Sequence, residues 1–140
     1  MRHPLRKLAF FFLIAVGTTA CDPSNPQPPA MAAPDTPGMV HTVYFWLNEG
    51  LSDDELRSFE AGVSSLKNAP TVRNIFVGTP AATPSRGVVD NSFDYSLVLW
   101  FDDVAGHDAY QVSPTHLKFV EEQEAKFSIV KVFDNVLLKR

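Results

Sequence analysis

Apolar and polar side chains alternate along Met39–Leu47 (MVHTVYFWL), with His41, Val43, Phe45 and Leu47 on one face and Thr42, Tyr44 and Trp46 on the other. A period of two in aromatic and β-branched residues predicts a strand. Gly50-Leu51 turns the chain, and Ser52-Asp53-Asp54-Glu55 matches a capping box, Ser at the cap and Glu three residues on. Leu56, Phe59, Val63 and Leu66 then recur at helical spacing, which predicts a helix over 52–67 with one apolar face, ended by Pro70. A second strand follows over 71–78 (TVRNIFVG). A loop over 79–91 contains Pro80, Pro84 and Gly87, and a third strand spans 92–101 (SFDYSLVLWF). Asp102 or Asp103 caps a short helix through Val112, and Ser113-Pro114 opens a fresh helix to Phe127, with Pro at its first position. The last strand is 128–138 (SIVKVFDNVLL).

The order β-α-β-β-α-β, with its second helix broken, is that of a ferredoxin-like α+β fold: a four-stranded antiparallel sheet carrying its helices on one face. Both sheet faces are apolar. Phe93, Tyr95, Leu97, Leu99 and Phe101 oppose Asp94, Ser96, Val98 and Trp100 on the third strand. Val130, Val132, Val136 and Leu138 oppose Ile129, Phe133 and Leu137 on the fourth. Helices cover one face only, so the other is expected to bury itself against a second copy, giving a homodimeric α/β barrel.

The first 38 residues read differently. Arg2, Arg6 and Lys7 precede the apolar run Leu8 to Gly17, and Thr18-Thr19-Ala20 supplies small residues before Cys21, the one cysteine of the chain. This is a secretory leader over 1–20. A cysteine at the cleavage point resembles the lipobox of bacterial lipoproteins, which implies a lipid on Cys21 and a domain held on the extracytoplasmic or periplasmic side of a bacterial membrane. The alternative is an ordinary secretory cut after Ala20 that leaves a free thiol. The apolar run is shorter than the ~20 residues that span a bilayer. Residues 22–38 hold six of the eleven prolines and only one large apolar side chain, Met31, so 21–38 is read as an anchor cysteine and a semi-extended linker. One folded domain is then expected over 39–140.

Removing the leader leaves nine Lys and Arg against 16 Asp and Glu. A mildly acidic domain without a basic block is not expected to bind nucleic acid, and its membrane contact is expected through the lipid alone. With one cysteine, no intramolecular disulfide can form. No two histidines after the leader have metal-ligand spacing, so no metal is expected, and no phosphate-loop pattern occurs.

Phe101, Tyr110, Pro114, His116, Phe119 and Val120, within FDDVAGHDAYQVSPTHLKFV, together with His41 on the first strand, resemble the stress-responsive A/B barrel (Dabb) domain family across 39–138. The resemblance implies a ferredoxin-like fold and a dimeric barrel, without a cofactor. In one plant member a His acts as general base beside a Tyr to close a linear polyketide. Carried over, those catalytic roles fall on His116 and Tyr110, and the ligand-binding positions on His41 and Tyr95. The chain departs from that member at Ser113, which replaces the first His of the turn, and at Tyr95, which replaces another cleft His. His107 stands where an apolar residue is usual.

The residues themselves leave two readings open for each candidate. His116, Val120, Gln123 and Phe127 share a helical face, so His116 points inward, as a base of suitable pKa or as a core histidine tied to a backbone carbonyl. Tyr110 is a cleft donor or a core aromatic, and His41 a ligand contact or a packed strand residue. His107 is expected to be exposed, and the loop 79–91 to rim the cleft. The first expectation is a tethered dimer that binds a small apolar molecule or serves in stress. A second is a cofactor-free cyclase or isomerase with His116 as general base on a carbonyl compound. A third, on fold analogy alone, is a haem- or quinone-handling monooxygenase.

Overall fold

The structure is a computed structural model and describes residues 36–138. The expected leader, Cys21 and the linker as far as residue 35 lie outside the described residues. The first strand, β1, is Met39–Leu47, and its burial alternates as its sequence does. Helix α1 is Asp53–Ser65. Its capping box is formed: the Glu55 amide donates to Ser52 Oγ at 3.3 Å and the Ser52 amide donates to the Glu55 carboxylate at 2.8 Å. A 3-10 turn over Leu66–Asn68 leads to Ala69, which is extended, as the residue before a proline must be.

Strand β2 is Asn74–Gly78, starting three residues later than the sequence predicts. The Val72 amide bonds back to Ala69 O at 3.1 Å and so continues the turn. Strand β3, Tyr95–Phe101, also starts late. There Asp94 Oδ2 accepts the Leu47 amide at 2.7 Å, so a side chain replaces the next rung of the ladder. Helix α2 is Val104–Gln111, capped by Asp103. Helix α3 is Pro114–Gln123, capped by Ser113 with Pro114 in its first turn, and is four residues shorter than expected. A 3-10 turn, Glu124–Lys126, hands the chain to β4, Phe127–Val136. A bulge at Trp46/Leu47 faces the start of β4, where the Ser128 hydroxyl donates to Trp46 O at 3.1 Å.

The strands lie in the order β2-β3-β1-β4 with every neighbouring pair antiparallel, which is the ferredoxin-like fold. Register sets what faces the helices. His41 lies opposite Leu99 and Asp134, Val43 opposite Leu97 and Val132, and Phe45 opposite Tyr95 and Val130. Phe59, Val63, Leu66, Leu99 and Phe101 are fully buried between sheet and helices. Each contributes about 1.5–3 kcal/mol by leaving water. The helices do not reach across β4, whose inward Val130 and Val132 stay 43% and 46% exposed. On the opposite face, Tyr44 meets Phe93 at 4.8 Å, Lys131 Nζ stands 4.9 Å over the Trp46 ring, and Phe76 and Phe133 are exposed. Among the described residues no helix is long and apolar enough to cross a membrane.

Gly38 closes the domain's entry. Its amide donates to Phe101 O at 3.1 Å and its carbonyl accepts from Leu137 at 3.0 Å. A Cβ there would lie 1.8 Å from the Asp102 carbonyl oxygen, so the backbone would have to move. Gly38→Ala is expected to lose about 1–3 kcal/mol in urea denaturation. Gly87→Ala, with nothing within 4 Å, should stay within about 0.5 kcal/mol. Equal midpoints for the two variants would contradict this placement of Gly38.

Candidate functional site

Pro114 carries no amide hydrogen, so α2 cannot run on into α3 and the helix restarts under its Ser113 cap. In an unbroken helix the Gln111 carbonyl would accept from the amide of residue 115. Here it accepts instead from His116 Nδ1 at 2.9 Å. A carbonyl only accepts, so Nδ1 carries the hydrogen and the neutral ring keeps a lone pair on Nε2. No described residue donates to that nitrogen. Burial pushes the His116 pKa below its ordinary 6.5, more than the Gln111 bond raises it, and nearby His107 lowers it further. His116 is therefore neutral at pH 7, with an accepting nitrogen.

The Tyr110 ring lies 4.6 Å from that imidazole, on the last turn of α2. Burial drives its phenol pKa well up, so the hydroxyl stays protonated and can only be a hydrogen-bond donor or acceptor. It bonds to no described residue. His41 completes the group from β1, with its ring 6.0 Å from Tyr110 and Nδ1 2.6 Å from Asp134 Oδ1. Its pKa is lowered by burial, which outweighs the opposing hydrogen bond and charge of Asp134. These three side chains, with Val43, Phe45 and Phe119 and the half-open Val130 and Val132, line a cleft of ≈ 240 Å³ between the sheet and α2–α3. The arrangement offers an acceptor and a donor at the wall of a largely apolar space whose lining also includes Gln111 and Glu124.

The structure thus brings His116, Tyr110 and His41 together and departs from three other expectations. Tyr95 is not in the cleft: its hydroxyl donates to Glu60 Oε1 at 2.7 Å and its ring packs on Phe59. Burial, that bond and the Glu60 charge push its pKa to about 12. His107 is buried rather than exposed, 8% accessible, against His41 and Phe101 at 5.0 and 5.6 Å. Asp103 caps α2 so that His107, Tyr110 and Gln111 share its inward face. The loop over 79–91 lines none of the cleft. It borders the opposite sheet face, where Asp90 joins Tyr44, Trp46 and Phe93 around a hollow of ≈ 260 Å³. Finally, spacing along the chain hid a cluster: His41, His107 and Asp134 converge in space. Spacing along the chain does not single out Asp134, although it interrupts the inward row Val130, Val132, Val136 with a charge.

The family model of the stress responsive A/B barrel domain matches residues 39–137. No curated protein matches the chain. Among solved structures, the hydroxynitrile lyase from Passiflora edulis is similar at TM-score 0.63 and 21% identity, over 75% of this chain and 98% of that one. A dimeric ferredoxin-like protein of unknown function from Thermobifida fusca is similar at TM-score 0.58 and 21% identity, over 71% and 90%. A Dabb family protein with a ferredoxin-like fold from Mesorhizobium loti is similar at TM-score 0.58 and 20% identity, over 72% and 97%. These likenesses show the fold.

His116 and His41 both have folded pKa values below 6.5, so the unfolded chain binds more protons than the native one. Their contribution to stability is full above about pH 6.5, falls as pH drops below it, and levels off beneath the folded values. Urea midpoints measured from pH 7.5 to 5 should decline, and His116→Gln should flatten the decline. An identical slope in that variant would contradict a half-buried, neutral His116.

Proposed function

From membership of the stress responsive A/B barrel domain family, to which this chain belongs, we propose a homodimeric binding module, tethered to a membrane by a lipid on Cys21. Its cleft takes a small, largely apolar molecule bearing one carbonyl or hydroxyl oxygen. The observation that carries this reading is the hydrogen bond from His116 Nδ1 to Gln111 O, which leaves Nε2 accepting beside a Tyr110 hydroxyl that bonds to no described residue. A ligand hydroxyl can donate to Nε2, and a ligand oxygen can accept from Tyr110. The apolar walls supply the remaining affinity.

Dimerisation is supported by the open outer face of the sheet, with Trp46, Phe76 and Phe133, and by the dimeric ferredoxin-like relative. Tethering is supported by the basic and apolar run ending in Ala20-Cys21 and by the proline-rich stretch after it. The same geometry favours a second reading. A neutral imidazole with a free lone pair, next to a protonated phenol, is a base and an acid in one apolar cleft, suited to enolising a carbonyl compound. A hydroxynitrile lyase shares the fold.

Acetophenone serves as a neutral probe for both readings. Followed by NMR on the intact chain, it should saturate and perturb Tyr110 and His116. Tyr110→Phe, which removes the donor to its carbonyl, should weaken it about 3- to 10-fold, the value of one hydrogen bond, without unfolding the domain. Deuterium entering the probe's methyl group from heavy water, and ceasing in His116→Ala, would make the module an enzyme. Absence of both binding and exchange would contradict both readings. Light scattering should give a dimer, with Trp46→Asp monomeric or aggregated. Mass spectrometry of the N-terminal peptide should find a diacylglyceryl group on Cys21, and a bare thiol or an uncleaved Met1 would contradict the tether.

A further inference from the structure

The cluster at the α2 end of the cleft has chemistry of its own. His41 comes from β1, His107 from α2 and Asp134 from β4, and one ligand atom of each lies within 4.8 Å of the others. The shared point is Asp134 Oδ1. His41 Nδ1 approaches it at 2.6 Å and His107 Nε2 at 4.0 Å, with the two rings 5.0 Å apart. Ligand atoms held at about 2.0–2.2 Å around a tetrahedral ion are roughly 3.3 Å from one another. One separation is shorter than that spacing, the other longer, and the third is bounded only by 4.8 Å. Rotation of His107 and Asp134 about their side-chain bonds would bring the three atoms to that spacing and open a seat for an ion.

The orientation of His107 points the same way. Its Nδ1 lies 3.2 Å from Asp108 Oδ1. A carboxylate only accepts, so the hydrogen sits on Nδ1 and the lone pair of Nε2 faces the cluster. A carboxylate behind the far nitrogen of an imidazole is the usual outer partner of a metal-bound histidine. The Gln111 amide now stands 3.0 Å from Nε2. It is neutral, and turning it end for end would offer its oxygen to a cation in the same place. If His107 served only to fill space, a leucine would do so without a second polar ring to satisfy beside His41.

We propose that His41, His107 and Asp134 bind one divalent transition-metal ion of the Zn2+ class. Two imidazoles and one carboxylate suit such an ion better than Mg2+ or Ca2+, which prefer all-oxygen sites. Asp134 is the exposed member, its side chain 44% accessible, so the ion enters from the β4 side. Three protein ligands leave a fourth position for water or for an oxygen of a molecule in the adjoining cleft. The ion would also clip the edge strand β4 to β1 and α2. This inference is separate from the binding reading above, which needs no metal.

The test uses the intact, tag-free chain, stripped with chelator and titrated with Zn2+ by calorimetry and with Co2+ by visible absorption. One ion per chain is expected, with Co2+ bands of a low-symmetry nitrogen–oxygen site. Asp134→Asn and His107→Leu should each weaken binding by at least the roughly 10- to 100-fold that outer partners alone are worth, and Asp108→Asn by about 10-fold. Should His107→Leu fail to fold, Asp134→Asn decides, since it keeps the side chain's shape at a partly exposed position. Absence of stoichiometric binding in the wild type would overturn the proposal, as would binding that survives Asp134→Asn unchanged. Acetophenone binding that persists in chelator while Zn2+ fails to bind would sink the metal site and leave the cleft reading intact.

Discussion

The missing amide hydrogen of Pro114 is the constraint on which the cleft depends. It stops α2, so that the amide of residue 115 no longer reaches the Gln111 carbonyl, and lets Ser113 cap a new helix whose first turn carries His116. A buried carbonyl left without a donor would cost about 1–3 kcal/mol, so the imidazole that satisfies it is held in one ring tautomer. The same break turns Tyr110 and His116 toward each other from two helices. A continuous helix would place residues six apart on different faces.

Packing explains why the open space lies where it does. α1 and the α2–α3 pair cover β1, β2 and β3 with a continuous apolar layer, from Phe59 and Val63 to Phe101 and Tyr110. They stop short of β4, so its inward valines remain half open and the cleft forms beneath them. Burial does two things to the groups there. It keeps His116 and His41 neutral and Tyr110 protonated, and it makes any hydrogen bond to a ligand stronger than it would be in water.

The fold was legible because its signals are local: alternation in Met39–Leu47, the Ser52–Glu55 box and the Ser113-Pro114 restart all act within a few residues. Element ends were less so. The β3 start is set by Asp94 reaching Leu47, a contact 47 residues apart that no periodicity reports. His116, Tyr110 and His41 could be placed from helical and strand faces together with the family pattern. Asp134 could not be paired with His41, because the bond spans 93 residues and depends on strand register. Its charge in a row of valines was the one available sign. The family resemblance implies a cleft position for Tyr95. In this chain Glu60, midway along α1, accepts from its hydroxyl and holds it away from the cleft.

The tautomer of His116 is the claim beneath the rest of the account. Long-range nitrogen–proton NMR on the imidazole, with the chain labelled in histidine, reads it directly at pH 7.5. The account predicts a proton on Nδ1 and an unprotonated Nε2 whose shift moves when a hydroxyl-bearing ligand enters the cleft. A ring protonated on Nε2, or on both nitrogens at that pH, would contradict it.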